Sequence, residues 1–235
     1  MNQESQTTNK SRGLRLLILL ALAAGFAAFF ALGGGEQLNL ATLKSHREEL
    51  QNLVAQNYLT VLAGAILLYA ALVAFSIPGG TVMSLTMGFL FGRWAGTAAI
   101  VCAATVGATL VFLAARYLFA DSISRLVGER GKKISEGFSQ DAFNYMLFLR
   151  LVPLFPFWLV NIVPAFTSIK LRTFTLATAI GIIPGSFVFA NLGVSLAHIE
   201  SARQLVSAEV LVALGLLGVF SLLPIFIKKR RAAKG

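Results

Sequence analysis

Arg150 is the residue of this sequence whose type and surroundings point most directly to chemistry. It opens an apolar segment that three prolines, Pro153, Pro156 and Pro164, interrupt, and that also contains Asn161. A charged side chain in an apolar segment indicates function by default, and the planar guanidinium of arginine suits a phosphate group. The segment therefore predicts a binding site for a phosphate-like anion, with Asn161 as a second polar contact.

Two structural alternatives remain open for these side chains. Arg150 could extend its charged end to the lipid headgroups and take no part in binding. Asn161 could bond a backbone carbonyl that Pro164 leaves without its helical partner.

A second broken segment lies earlier in the chain, where Pro78, Gly79 and Gly80 interrupt a long apolar run. Proline removes a helix donor and glycine loosens the backbone, so backbone amides are left unpaired. We expect the amides of Gly79 and Gly80 to contribute to the anion site. A third break, at Pro184 and Gly185, and the prolines of the other two segments are predicted to shape the irregular backbone.

Composition places these broken segments in a membrane. Hydrophobic residues make up 57% of the 235 positions and charged residues only 13%, whereas soluble domains carry about 25% charged residues. Several uncharged runs reach the roughly 20 residues that cross a bilayer. Irregular backbone at membrane depth is tolerated where protein buries it or where it lines a cavity.

The distribution of charge predicts the topology. Basic residues concentrate before residue 16, in 116–150 and after Ile227, which assigns these parts to the cytoplasm. The segments 36–57 and 200–209 carry more acidic than basic residues and suit the outside. The predicted crossings are 16–35, 94–115, 173–196 and 210–227.

Between the crossings, two hairpins are predicted to re-enter from opposite sides, about 58–92 from outside and about 143–169 from inside. Each is followed by a crossing helix. The predicted fold class is an all-α integral membrane protein with about four transmembrane helices and two opposed re-entrant helical hairpins that form an inverted repeat. The main alternative makes 58–77 a full span.

This topology divides the chain into four regions. They are a cytoplasmic tail (1–13), a first transmembrane helix with an interfacial helix (14–57), a membrane core (58–196), and a last transmembrane helix with a basic cytoplasmic tail (197–235). A cleaved signal peptide is the alternative for the first apolar run, and a solvated loop helix for 36–57.

Small residues suggest packing contacts. Gly88, Gly92 and Gly96 are spaced by four, so one helix covering them would present a stripe for close helix contact. Cys102, the single cysteine, is predicted to be a small buried hydrophobe.

Other functional classes find little support. His46 and His198 are distant from the broken segments, and no nucleophile triad, metal-ligand cluster or phosphate-binding loop is visible. We therefore expect no enzyme activity, no cofactor and no metal. The net charge is +10, and the basic residues that produce it lie at the ends of apolar runs, where they can contact anionic lipid headgroups. This placement predicts anionic lipid rather than nucleic acid as the partner.

Two groups of motifs resemble a known family. Phe75-Ser-Ile-Pro78-Gly79 with Gly88-Phe-Leu-Phe91-Gly92 resembles the first conserved region of the VTT-domain proteins of the DedA superfamily. A larger set of residues resembles the second conserved region of that family: Arg150, Pro153, Pro156, Asn161, Phe174 and Gly181-Ile-Ile-Pro184-Gly185. The resemblance implies opposed re-entrant hairpins and the movement of phospholipids or lipid carriers.

The sequence departs from the DedA pattern in three places. No acidic residue lies near Pro78, Pro156 stands where that branch has a second arginine, and Ala165 occupies a stretch where relatives have glycine. The chain is thus most similar to the Golgi-type bacterial branch.

The predicted function is that of a membrane transporter or lipid scramblase for a phospholipid, lipid carrier or small anion. The expected location is a bacterial inner membrane, with both termini cytoplasmic, and the alternative is an organelle membrane. The alternative is a membrane organiser that transports nothing and acts through homo-oligomerisation.

Overall fold

A computed structural model describes residues 3–34, 40–119, 141–152 and 155–195, and these residues form helices and no strands. Two predicted elements, the basic segment within 120–140 and the last span at 210–227, lie outside this part of the chain, as does Pro153. The helices are α1 (Gln3–Ala31), α2 (Leu40–Ser45), α3 (Arg47–Gln56), α4 (Tyr58–Ala74), α5 (Gly80–Leu118), α6 (141–151), α7 (Phe157–Ile162), a 3-10 turn (Val163–Phe166), α8 (Leu171–Gly181) and α9 (Ile183–Val194).

The chain is an all-α membrane protein. Three described helical segments are long and apolar enough to cross a bilayer, Gly13–Ala31, Gly80–Leu118 and Leu171–Val194, and the bent pair of α3 and α4 makes up to four. Large apolar side chains such as Leu59 and Trp94 lie three-quarters exposed on the surface. An apolar exterior of this kind suits lipid rather than water.

The first broken segment forms an antiparallel hairpin. The Tyr58 ring meets the Phe91 ring edge-on with 5.7 Å between centroids, at the open end of the hairpin. At the closed end, the Tyr69 hydroxyl donates to the Gly80 carbonyl, 3.0 Å away. The arms are therefore α4 and residues 80–91, and the tip is 75–79, in agreement with the predicted hairpin at about 58–92.

The chain reverses direction again at Gly92. Its φ of 78° and ψ of 177° break α5 into two arms, 80–91 and 93–118. A Cβ at Gly96 would lie 2.7 Å from the Met87 carbonyl oxygen, so the second arm folds back on the first. Gly88, Gly92 and Gly96 are thus not on one helix, and the predicted straight stripe is wrong: Gly92 is where the backbone turns.

The tip of the first hairpin stops partway along the second arm of α5. That arm is about 39 Å long at the helical rise. Gly107, about 21 Å from its start, packs against Ala70 and Val73 beside the tip. A hairpin whose tip ends near the middle of a crossing helix has the geometry of a re-entrant segment, not of a full span at 58–77.

The second hairpin enters from the other end. Residues 141–151 form one arm, α7 and the 3-10 turn form the other, and Arg150 contacts Asn161 across them. The return arm ends at Phe166, whose ring lies 5.6 Å from that of Phe119 at the far end of α5. The first hairpin has its open end at Phe91, beside the start of the second arm of α5, so the two hairpins are opposed.

Helices α8 and α9 run antiparallel to the second arm of α5 and pack along it. Phe174 stacks on Phe112, with 4.2 Å between centroids, while Phe187 lies 5.2 Å from Trp94 at the other end. Pro184 falls in the first turn of α9, where a missing amide costs no helical bond, so the break at Ile182 changes direction without ending the span.

The structure differs from two further expectations, on Cys102 and on the interfacial segment. Cys102 is exposed on the outer surface of α5 and is not buried, because its position on the helix faces away from the core. The interfacial segment forms two short helices rather than one, with Leu43 and Val54 buried against the rest of the chain. It meets α4 at a bend of 117°.

Candidate functional site

The two hairpin tips enclose a cavity of about 600 Å³. The first hairpin contributes Pro78, Gly79 and Gly80 to its wall, and the second contributes Arg150 and Asn161. The long helices close it with Ile100, Ala104, Gly181, Gly185 and Ser186. Residues from both broken segments, which the sequence places about 70 positions apart, thus meet at one site midway along the crossing helices.

Arg150 is held at this wall by neutral oxygens. Its Nη2 donates to Asn161 Oδ1 at 2.7 Å and to Thr178 Oγ1 at 3.0 Å, and its Nε donates to the same Thr178 oxygen at 3.2 Å. Both acceptors are almost fully buried. The guanidinium is thus fixed by side chains from its own hairpin and from α8.

Aromatic rings surround the same charge. The Arg150 Cζ lies 4.9 Å from the Phe157 ring centroid and 5.5 Å from that of Phe174. Phe174 stacks in turn on Phe112, and Arg116 covers the other face of Phe112 at 4.4 Å. Ring faces attract cations. The stacked pair of Phe174 and Phe112 therefore packs against an arginine at each end, but the rings do not neutralise the charge of either arginine.

No described lining residue supplies a counter-charge to Arg150 at the cavity. Among the described residues that line it, Arg150 is the only charged one. The Nη1 atom is buried and has no hydrogen-bond partner within the described chain. A buried cation without a counter-charge is costly. The arrangement therefore favours an anion that supplies both a negative charge and hydrogen-bond acceptors.

The first hairpin presents donors to the same cavity. The first turn of the 80–91 arm carries no side-chain cap, and the first helical bond runs from Met83 to Gly79. The amides of residues 80–82 therefore have no partner among the described residues, as at any uncapped helix start. Gly79 adopts a φ of 139°, which favours glycine, and this geometry brings the helix start to the cavity wall.

A buried tyrosine fixes this helix start. Besides its bond to Gly80, the Tyr69 hydroxyl shares a 2.8 Å hydrogen bond with the Ser84 hydroxyl. Ser76, at the tip, has a positive φ of 54°, which is unfavourable for a residue with a side chain. The tip is thus shaped by an ordered hydroxyl pair and by one strained residue.

The remaining predicted structural residues lie at the ends of elements. Pro156 precedes α7, and Pro164 lies in the 3-10 turn and is buried. Arg116 bonds carbonyls that follow this turn, because its Nη2 donates to the oxygens of Thr167 and Ile169 at 2.9 Å. Gly185 lines the cavity together with Pro78, and Pro184 lies nearby in α9.

Several site residues were not predicted from sequence. Tyr69 is a single polar residue inside an apolar run, and Thr178 is one of three threonines in another, which was a usable signal because buried polar residues need partners. Arg116 also showed a signal, a charge at the end of an apolar run, but there it indicated only a membrane boundary. No sequence feature pairs these residues with carbonyls or with Arg150, because the contacts join distant segments.

Among the described residues, no group of three or more His, Cys, Asp or Glu side chains is placed to hold a metal ion. The donors at the cavity are a guanidinium, backbone amides and hydroxyls, and these groups are suited to binding an oxyanion.

Comparison with known proteins identifies relatives over most of the chain. The VTT domain family model matches residues 77–195. The Transmembrane protein 41 homolog of Dictyostelium discoideum is 29% identical over 195 residues, which cover 82% of this chain and 58% of that protein. The corresponding protein of Caenorhabditis elegans is also 29% identical, with 82% and 79% covered.

Transmembrane protein 41B of Homo sapiens is 26% identical over 236 residues, covering 94% of this chain and 81% of that protein. The chain spans less than two thirds of the Dictyostelium relative. No solved structure matches the chain.

Proposed function

This chain belongs to the VTT-domain family, and from that premise we propose that it moves an anionic phospholipid, a phosphorylated lipid carrier or a small anion across a membrane. The observation that carries the proposal is the cavity between two opposed hairpin tips, with Arg150 as the one charge among its described lining residues. The amides of the first hairpin and Nη1 of Arg150 would hold the phosphate. The protein acts as a transporter or scramblase and carries out no covalent chemistry.

The geometry supports movement across the bilayer rather than binding at one surface. The cavity lies partway along the second arm of α5, where the two hairpins that enter from opposite ends meet. The tip residues Phe155, Phe157 and Trp158 line the cavity and are also exposed at the surface. A lipid could therefore keep its acyl chains outside while its headgroup enters between the tips.

Charge placement supports a cytoplasmic N-terminus. Arg15 lies over the Tyr117 ring, at the same end of α5 as the Arg116 contacts to the second hairpin. We therefore place that end in the cytoplasm. The proposed location is a bacterial inner membrane, with anionic phospholipids as partners.

The test is lipid flip-flop in proteoliposomes. Wild type, Arg150→Ala and Arg172→Ala would be reconstituted with fluorescent phosphatidylglycerol, and dithionite would quench the label in the outer leaflet. Arg172 is exposed at the start of α8, outside the cavity, and is the matched control. We expect quenching beyond the outer-leaflet fraction in wild type and Arg172→Ala, and a loss of about tenfold or more in Arg150→Ala.

A folded wild-type protein that moves neither anionic nor zwitterionic lipid would contradict lipid scrambling. A folded Arg150→Ala variant with wild-type flux would contradict the cavity as the route. Monodispersity and thermal unfolding in detergent would establish folding for each variant.

A further inference from the structure

The guanidinium of Arg150 is oriented chiefly from α8, which is not part of its own hairpin. We infer that Thr178 and Gly181 are positioning residues for Arg150: together they fix the guanidinium so that, within the described chain, only the N–H groups of Nη1 are left without an acceptor. The inference rests on the proposed function for its purpose, although the positioning can be measured separately.

Thr178 acts through its hydroxyl oxygen. Oγ1 accepts from both Nε and Nη2 of Arg150, which occupies the two acceptor positions of a hydroxyl. Asn161 accepts the other Nη2 hydrogen. The Nε–Nη2 edge is therefore fully used within the protein, and the N–H groups without an acceptor among the described residues belong to Nη1. An anion at this site would contact one nitrogen rather than a two-pronged edge.

Gly181 acts through the absence of a side chain. A Cβ placed there would lie 2.6 Å from Arg150 Cβ and 3.2 Å from Leu147 Cδ1. The Cβ of Arg150 is attached directly to the backbone, so α6 would have to shift as a helix to relieve the overlap. Thr178 and Gly181 are three positions apart and share one face of α8, so such a shift would lengthen both Thr178 bonds.

The same motif offers a matched control. Gly185 also lines the cavity, four positions further on, but a Cβ there would meet nothing within 4 Å. Gly185→Ala therefore adds the same methyl group to the same cavity wall without touching Arg150. For Thr178, the control is Thr178→Ser, which keeps the hydroxyl, whereas Thr178→Val keeps the shape and removes the acceptor.

The first measurement is the flux of fluorescent phosphatidylglycerol for these four variants. We expect Thr178→Val and Gly181→Ala to lower flux about tenfold, since hydrogen bonds to a charged group are lost or lengthened. Thr178→Ser should stay within about twofold of wild type, and Gly185→Ala should lose less flux than Gly181→Ala, because its methyl group does not reach Arg150. Wild-type flux in both Thr178→Val and Gly181→Ala would overturn the inference.

The second measurement is independent of transport. Phenylglyoxal modifies accessible arginine, and mass spectrometry of the Arg150 peptide gives the rate for each variant. We expect slow modification in wild type, Thr178→Ser and Gly185→Ala, and several-fold faster modification in Thr178→Val and Gly181→Ala. Equal rates in all five proteins would overturn the positioning role, even if wild type moved lipid.

The two readouts separate the two claims. If wild type moves no lipid but Arg150 reactivity follows this pattern, the proposed function fails and the positioning role stands. If Thr178→Val misfolds, the reactivity of Arg150 in Gly181→Ala and Gly185→Ala still tests the positioning role. If Gly181→Ala misfolds, the comparison of Thr178→Val with Thr178→Ser tests it instead.

Discussion

At the scale of single residues, the chain surrounds the Arg150 cation with neutral groups that accept only part of its hydrogen bonds and do not balance its charge. Thr178 and Asn161 use three of the N–H groups of Arg150, and two rings cover its faces. None of these contacts supplies a negative charge. We therefore expect a negatively charged partner from outside the protein, and the charge balance at Arg150 can be tested directly.

Asn161→Asp would supply the missing charge internally. The carboxylate would lie where Asn161 Oδ1 now accepts from Arg150 Nη2 at 2.7 Å, and a charge-assisted hydrogen bond would form. We expect the flux of anionic lipid to fall about tenfold or more while the melting temperature is kept or raised. Flip-flop assays and thermal unfolding in detergent would measure both quantities.

Asn52→Asp is the control for the added charge, because Asn52 is exposed on α3 and lies outside the cavity. It should leave flux and melting temperature unchanged. Wild-type flux in a folded Asn161→Asp protein would show that the anion does not need the free charge of Arg150.

At the scale of elements, glycines allow the hairpins to pack closely against the crossing helices. A Cβ at Gly88 would lie 2.1 Å from the Ala190 carbonyl oxygen, and one at Gly193 would lie 2.2 Å from that of Leu85. The partners are backbone atoms of α9 and of the 80–91 arm, which cannot rotate away. Gly88 therefore packs within the chain, so enlarging it tests the fold rather than oligomerisation.

Gly88→Ala should destabilise the protein by about 1–3 kcal/mol, because the overlap involves backbone on both sides. Gly64→Ala is the matched comparison: it lies within α4, where a Cβ would meet nothing within 4 Å. Alanine is a better helix former than glycine, so Gly64→Ala should be neutral or stabilising by up to about 1 kcal/mol. Thermal unfolding of the two variants in the same detergent would show the difference, and equal melting temperatures would contradict the close contact between α9 and the 80–91 arm.

At the scale of the whole molecule, charge is divided between the two ends of the crossing helices. One end carries mainly basic charge among the residues that the structure describes there, with Asp141 beside Arg15, Arg116, Lys170 and Arg172, while the other end carries Glu48 and Glu49 together with Arg93. The open end of each hairpin lies at a different one of these two ends. This division predicts which residues face the cytoplasm.

Single cysteines would test that orientation. In a Cys102→Ser background, Arg172→Cys and Arg93→Cys should react with a membrane-impermeant maleimide from opposite sides of oriented vesicles. We expect Arg172→Cys to be labelled from the cytoplasmic side, because basic residues are retained there. Labelling of both positions from one side would contradict the opposed arrangement of the hairpins.

The sequence by itself determined the class of the protein and the location of its breaks. Length and apolarity of the uncharged runs establish an all-α membrane protein, since helices satisfy their own backbone hydrogen bonds in lipid. Pro78, Pro156 and Pro184 mark positions where a regular helix has to change, because proline lacks the amide and fixes φ. The first hairpin, at 58–91, was predictable for the same reason.

Only the tertiary structure decided which residues meet. Arg150 and Asn161 are near in sequence, but Thr178, Gly181 and the first hairpin tip reach Arg150 through packing between distant segments. The identity of Gly92 did not show whether it lies within a helix or at a chain reversal, since glycine adopts both backbone conformations. Cys102 likewise gave no sign of its outward orientation, because an apolar residue in a membrane helix suits either lipid or core.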